Sequence, residues 1–132
     1  MRNIFFITIL ALGVMSCSKN QVESKKNLRE INSLADFNQT VGEGVSLLFF
    51  HATWCSKCAE QRPAVEALPD DKRFENVKFA QVDYEKNTDI VTQNNVLGFP
   101  NIRIYKDGVK IHDLTGFKNT KEDLENKLLA LL

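Results

Sequence analysis

Cys55 and Cys58 are the residues of this sequence whose type and spacing are best suited to chemistry. They follow an apolar run and open a segment with helical character. Cysteines at positions i and i+3 of a first helical turn face the same side, close enough to form a disulfide. A bond that closes so short a loop restrains little of the unfolded chain and adds little stability by that route. The pair is therefore predicted to open and close in thiol–disulfide exchange.

The position of the pair predicts a different role for each thiol. The start of a helix offers free N–H donors and a positive dipole end, and both favour the thiolate of Cys55. The nearby positive charge of Lys57 acts in the same direction. Cys58 lies one turn further inside, where we expect it to be less exposed. It therefore suits the thiol that resolves a mixed disulfide.

Half of a metal site is the alternative interpretation of this pair. A structural zinc site takes four ligands, and carboxylates apart, only His51 and His112 are available to complete it. His51 lies on a predicted strand just before the pair, whereas His112 lies far downstream in a candidate edge strand. We therefore expect no metal, and no cofactor beyond the cysteine pair itself.

The chain from residue 28 onward alternates strand-like and helix-like segments, which is typical of a layered α/β sheet. Strands are predicted at 28–31, 45–50, 77–84, 100–105 and 110–114, and helices at 33–41, 55–68, 88–94 and from 120 onward. The run 45–50 is continuously apolar apart from Ser46, which predicts a central strand covered on both faces.

Local signals mark the ends and turns of these elements. Ser33, Thr88 and Thr120 are predicted helix N-caps. Pro63 should kink the second helix, and the Asp107-Gly108 pair predicts a hairpin turn. The last helix is predicted to place most of its leucines on one side, namely Leu124, Leu128, Leu129, Leu131 and Leu132.

The segment from Phe50 to Cys58, followed by Pro63, resembles the active-site strand, turn and helix of thioredoxins. Residues 96–101 resemble the loop that carries the cis-proline of that family, and a strand and a Lys-Asp-Gly hairpin follow. The resemblance covers about residues 28–132. It implies the α/β thioredoxin fold, with a central mixed β-sheet flanked by helices on both faces. It also implies disulfide exchange with Cys55 as nucleophile and Cys58 as resolving thiol.

The same resemblance implies a substrate-binding wall beside the sulfurs. Pro100 is expected in cis, and the backbone of Phe99 should meet an extended substrate peptide. Trp54 is expected to cover the disulfide and to belong to the docking face. Phe117 follows Gly116 in a loop that borders the active site in this fold. The remaining aromatic residues of the strands and loops are expected in the core, among them Phe49, Phe50, Phe74 and Phe79.

The departures from the thioredoxin pattern concern proton transfer and charge. Ser56-Lys57 stands where Gly-Pro is usual, Phe49 where a buried aspartate is usual, and Gln81 where a lysine is usual. The usual proton acceptor for the resolving thiol is therefore missing. Glu60 is the nearest candidate in the sequence, with the alternative that it simply faces water. These departures favour a specialised exported role over that of a general reductant.

The N-terminus has the pattern of an export signal. Arg2 precedes an apolar run of about a dozen residues, which is shorter than the ~20 that a membrane-spanning helix needs. The run ends at Ser16-Cys17, which resembles the lipobox of bacterial lipoproteins, so residues 1–16 are predicted to be a signal peptide and Cys17 to be lipidated. An ordinary secretory signal or an uncleaved anchor is the alternative. Residues 17–27 form the lipidated cysteine and a polar tether, and residues 28–132 the thioredoxin-like domain.

Composition limits the remaining function classes. The chain has 132 residues, a formal net charge of zero and three cysteines. The length is enough for one domain, and the zero net charge gives no sign of a basic surface for nucleic acid. Three cysteines are too few for a disulfide-stapled scaffold. We predict an exported, monomeric protein held to a bacterial membrane, facing the periplasm or the exterior. It would exchange disulfides with protein substrates, as a reductase rather than an oxidase, fed by a membrane electron donor. The alternative is a thioredoxin-like binding module without turnover.

Overall fold

The computed structural model describes residues 28–132. The predicted signal peptide, the lipidated Cys17 and the tether lie outside the described residues. The described strands are β1 (Arg29–Glu30), β2 (Val45–His51), β3 (Lys78–Asp83), β4 (Asn101–Lys106) and β5 (Val109–Thr115). The described helices are α1 (Leu34–Val41), α2 (Ser56–Glu66), α3 (Thr88–Gln93) and α4 (Lys121–Leu129), with a short 3₁₀ turn at Lys72–Phe74.

The strands form one mixed sheet with β2 in the middle. Their order is β1-β3-β2-β4-β5. β1 and β2 run parallel to β3, whereas β4 is antiparallel to both β2 and β5. Every residue of β2 is buried, because its continuous apolar run is covered on both faces. The predicted central strand and mixed sheet are confirmed.

Alternation along β2 divides the core into two layers. Leu47 and Phe49 point to one face and pack with residues of α2 and α4. Leu48 and Phe50 point to the other face and pack with residues of α1 and α3. Successive side chains of a strand point to opposite faces, so one apolar strand serves both layers. The predicted helices on both faces are confirmed, and α2 is held against the Phe49 side of the sheet.

Two of the three predicted N-caps are confirmed. The Ser33 hydroxyl accepts a hydrogen bond from the Asp36 N–H at 3.1 Å, and Thr120 forms a full capping box with Asp123. The prediction for Thr88 was wrong, because the N-cap of α3 is Asn87. The Asn87 side chain turns into the core and donates to the Ile31 carbonyl at 3.1 Å, so the helix is entered one residue earlier.

The leucines of the last helix divide differently from the prediction. Leu124 and Leu128, one turn apart, are fully buried. Leu129 and Leu132 are 40% and 60% exposed. The helix ends at Leu129, so the chain beyond it does not continue the helical stripe. Only Leu131 of these later residues packs against the core.

The Asp107-Gly108 turn is confirmed, whereas the kink at Pro63 stays a prediction. Pro63 lies inside α2. Asp107 and Gly108 have positive φ angles of 48° and 81°, which suits the tight β4–β5 turn. The turn is also tied to the start of β2, because the Asp107 carboxylate accepts from the Gly44 N–H at 2.8 Å.

Candidate active site

The cysteine pair lies where β2 hands over to α2. Cys55 has extended backbone and is the N-cap of α2, so it precedes the helix rather than lying in its first turn. Its Sγ accepts a hydrogen bond from the Cys58 N–H at 3.1 Å. A disulfide joins the two residues, whose Cα atoms are 5.2 Å apart. The N–H that bonds to Sγ is one of the unpaired donors of a helix start, and it would equally stabilise a thiolate there.

The two sulfurs differ in access, as the sequence predicted. Cys55 is 9% exposed and Cys58 is 3% exposed. The first is therefore at the edge of the surface and the second is behind it. This difference supports an attacking and a resolving thiol, although the assignment of the two roles stays a prediction.

An aromatic wall stands on one side of the disulfide. The peptide bond between Phe99 and Pro100 is cis, as the resemblance implied. The Trp54 ring meets the Phe99 ring edge-on with centroids 6.3 Å apart, and Tyr84 backs Phe99 at 5.2 Å. Trp54 is 67% exposed and Leu97 is 97% exposed. Both apolar side chains are open to solvent, Trp54 next to Cys55 in the chain and Leu97 on the loop of the cis-proline.

Lys57, on α2, contacts an aromatic ring of the Phe117 loop and a carboxylate of its own helix. The Lys57 ammonium lies 4.0 Å above the centre of the Phe117 ring, a favourable cation–π geometry. The same ammonium lies 3.4 Å from a Glu60 carboxylate oxygen, and both side chains are about half exposed. Glu60 therefore faces water and pairs with Lys57, which confirms the alternative predicted for it. It does not replace the missing buried carboxylate.

A different set of residues lies beneath the pair. Phe49 is fully buried, and the Arg62 guanidinium lies 5.1 Å from the centre of its ring. Arg62 also donates to the Gln81 side-chain oxygen at 2.9 Å, so the two positions that depart from the thioredoxin pattern meet at one arginine. The His51 ring stacks on Phe49 with centroids 5.6 Å apart. A guanidinium and an imidazole thus contact the phenylalanine that stands at the family's aspartate position.

Sequence reasoning missed Arg62 and considered His51 only as a metal ligand. The signals were present in the sequence. Arg62 follows Cys58 by four residues, which places both on one face of a helix, and His51 follows Phe49 by two, which places both on one face of a strand. What the spacing did not reveal is that these two faces meet.

The structure also bears on metal binding and membrane spanning. Within residues 28–132, no three His, Cys, Asp or Glu side chains are grouped so as to hold a metal ion. His112 lies on β5, opposite Ile104 and two strands away from β2. In the same part of the chain, no helix has the length and apolar content that crossing a bilayer requires.

Comparisons with known proteins agree with this geometry. The family model described as Thioredoxin matches residues 29–130. The thioredoxin of Coprinus comatus is 34% identical over 102 residues, which cover 76% of this chain and 96% of that protein. The thioredoxin of Gallus gallus is 31% identical over 108 residues, covering 80% of this chain and 99% of that protein.

A solved structure shows the same architecture. The crystal structure of the Malassezia sympodialis thioredoxin aligns with a TM-score of 0.71 at 26% identity, covering 79% of this chain and 90% of that one. The matched region contains the mixed sheet, the cysteine pair at the start of α2 and the loop with the cis-proline. This chain therefore belongs to the thioredoxin family and is a thiol–disulfide oxidoreductase.

Proposed function

We propose that this protein reduces disulfides of protein substrates outside the cytoplasm while tethered to a bacterial membrane through a lipid on Cys17. The observation that carries the redox part is the asymmetry of the pair. Cys55, which is 9% exposed, has its Sγ on a helix N–H, and Cys58, at 3%, is more deeply buried. A thiolate at such a position is a good nucleophile in thiol–disulfide exchange.

The reaction proceeds in two exchanges. The Cys55 thiolate attacks one sulfur of a substrate disulfide, forms a mixed disulfide and expels the first substrate thiolate. The Cys58 thiolate then attacks the Cys55 Sγ and expels the second. Two electrons and two protons pass to the substrate, and the protein is left with the Cys55–Cys58 disulfide. A membrane electron donor must reduce that bond before the next turnover.

The aromatic wall supports a protein as the substrate. An extended peptide laid along the Phe99 backbone would bring its disulfide to the Cys55 Sγ and cover the exposed Trp54 ring. Leu97 adds a second exposed apolar side chain on the same loop. Apolar contact of this kind tolerates many sequences, which suits an enzyme that acts on more than one protein.

The pairing of Lys57 supports reduction over oxidation. A cation beside Cys55 stabilises the thiolate and hence the reduced protein, which makes the pair more oxidising. Here the Lys57 charge is offset by Glu60 at 3.4 Å, and both are half exposed. The additional stabilisation of the reduced form is therefore small, and the pair keeps its tendency to give electrons away.

The export and tether rest on the sequence. The apolar run 4–15 and the Ser16-Cys17 junction fit a lipoprotein signal, and the polar residues 18–27 separate that cysteine from the first strand. Acylation with more than one chain would hold the protein firmly.

The redox part is tested by trapping. The wild type should reduce insulin disulfides, whereas a binding module without turnover would not. Cys58→Ser should accumulate mixed disulfides with its natural partners, because attack proceeds but resolution cannot. Cys55→Ser is the matched control and should trap almost nothing. Equal trapping by both variants would overturn the assignment of the two thiols.

The tether is tested separately. Cys17→Ser should leave insulin reduction by the purified protein unchanged, because the tether separates the cysteine from the domain. The same substitution should release the protein from membranes or block processing of the signal. Retention on membranes after Cys17→Ser, with the signal demonstrably cleaved, would remove the lipid anchor and leave the redox activity standing.

A further inference from the structure

The resolving step requires a proton acceptor for Cys58. Only a thiolate attacks a disulfide, and an ordinary thiol, with a pKa near 8.5, is largely protonated at neutral pH. Cys58 is 3% exposed, so bulk water has poor access to it. Position 49, where the family places a carboxylate, is a fully buried phenylalanine here. Glu60 pairs with Lys57 at the surface.

A cavity beside the disulfide contains another basic group. Its volume is about 270 Å³, and its lining includes His51, Cys55, Cys58 and Arg62. His51 is 8% exposed. Its Nε2 is buried and has no hydrogen-bond partner among the described residues. A cavity of this size has room for water, and the Cys58 thiol and the His51 imidazole line the same cavity.

Burial and the Arg62 charge favour the neutral form of the His51 imidazole. Burial lowers the pKa of His51 below its ordinary value of 6.5, and the Arg62 charge lowers it further. Asp83, at the end of β3, and Glu30, on β1, raise the pKa of His51, and Lys86 lowers it. A neutral imidazole has one nitrogen free to accept a proton.

We propose that His51 is the proton acceptor for Cys58 in the resolving step. The Cys58 thiol gives its proton to the His51 imidazole through water in the cavity, and the resulting thiolate attacks the Cys55 Sγ. The bond between Cys55 and the substrate breaks, the substrate thiolate leaves, and the imidazolium returns the proton to it. This assignment rests on the proposed function, because it concerns the second exchange of that reaction.

Arg62 positions and tunes this acceptor. Its guanidinium is held over the Phe49 ring and is bound to Gln81 at 2.9 Å and Glu66 at 3.0 Å. It faces the same cavity, where its charge opposes protonation of His51. The chain thus replaces a buried carboxylate with a neutral imidazole and a fixed cation.

The test uses the reduced protein and the aromatic disulfide reagent DTNB in a stopped-flow instrument. Each protein molecule releases one coloured thiolate when Cys55 attacks and a second when Cys58 resolves the mixed disulfide. The two phases report the two exchanges separately. The variant is His51→Gln, and the matched control is His112→Gln, since the chain contains two histidines.

We expect His51→Gln to keep the first phase and to slow the second about 30-fold at pH 7, the factor by which a thiol of pKa near 8.5 is under-ionised at that pH. The two rates should converge above pH ~8.5, where the thiol ionises without help. His112→Gln should leave both phases unchanged. A second phase that is unchanged, or slowed equally at every pH, would overturn the role of His51. Absence of the first phase in the wild type would instead refute the proposed function.

A second measurement applies even where the variant fails to fold. In the wild type the second phase should level off above the pH at which NMR shows the His51 imidazole losing its proton. A second phase that keeps rising tenfold per pH unit through that titration would overturn the proposal. Urea unfolding of oxidised His51→Gln shows whether the variant is folded.

Discussion

Truncation of Trp54 should lower kcat/KM for protein substrates and leave the reaction with a small disulfide reagent unchanged. The residue is 67% exposed and touches Phe99 only edge-on, so Trp54→Ala removes surface rather than core. A Trp side chain offers roughly 200 Å² of burial, of which about 130 Å² is accessible here. A peptide that covers half of this area removes about 70 Å² from water, which is worth about 1.7 kcal/mol.

This free energy corresponds to about a 20-fold loss in kcat/KM, since each 1.36 kcal/mol is roughly tenfold. The assay is insulin reduction, compared with the rate of the first DTNB phase, because a small reagent covers little of the ring. Trp54→Phe should recover most of the loss. Val109→Ala, at an exposed apolar residue of the β4–β5 hairpin, is the control for general surface effects.

Three outcomes would contradict docking of protein substrates on Trp54. A kcat/KM for insulin within about threefold of the wild type after Trp54→Ala would mean that substrates do not cover the ring. An equal loss with DTNB would mean that the substitution damages the cysteine pair itself. A large fall in the free energy of unfolding would mean that Trp54 acts through packing.

Further predictions concern the charge, the potential and the stability of the fold. Lys57→Glu should slow alkylation of Cys55 by iodoacetamide at pH 7, and an unchanged rate would mean that Lys57 has no influence on this thiol. The reduction potential measured against glutathione should fall between about −270 and −180 mV, and a value far below −300 mV would indicate a structural bond. Asp113→Asn removes the carboxylate that lies 3.1 Å from the buried Arg103. It should lower the free energy of urea unfolding at pH 7 by about 1–2 kcal/mol, less than for a fully buried pair because Asp113 is a third exposed. Burial raises the pKa of Asp113, but Asn101, Lys110 and Arg103 together bring it below 3.8, so this stability is present above that pH and should be lost on acidification. A difference between wild type and variant that persists unchanged at pH 2 would contradict this assignment.

Short-range patterns were sufficient for the elements and for the redox pair. The apolar run of β2 and the Asp107-Gly108 turn depend on neighbours in sequence, and both are confirmed. The helix predicted from Cys55 begins one residue later, at Ser56. The cap of α3 was missed because Asn87 is held by the Ile31 carbonyl, a contact 56 residues away along the chain. A long-range hydrogen bond of this kind leaves no local signal.

Around the cysteine pair, too, local spacing predicts some features and packing between elements sets the others. Glu60 was a candidate by distance along the sequence, yet its position on α2 turns it to the surface, where it meets Lys57. His51 and Arg62 belong to a strand and a helix whose relative placement depends on packing around Phe49. Spacing places each residue on a face of its own element, but packing decides which faces meet.

The sequence alone predicted the disulfide-forming pair, and the resemblance to thioredoxins predicted the cis-proline loop. These features are encoded within short segments, where helix geometry and the special chemistry of cysteine and proline act over a few residues. The residues beneath the sulfurs could not be predicted from local sequence, because they are brought together by tertiary packing. There β2, β3 and α2 bring an imidazole, an amide and a guanidinium together around one phenylalanine. Residues so far apart in the chain meet because burial of the apolar faces of these elements fixes how they pack.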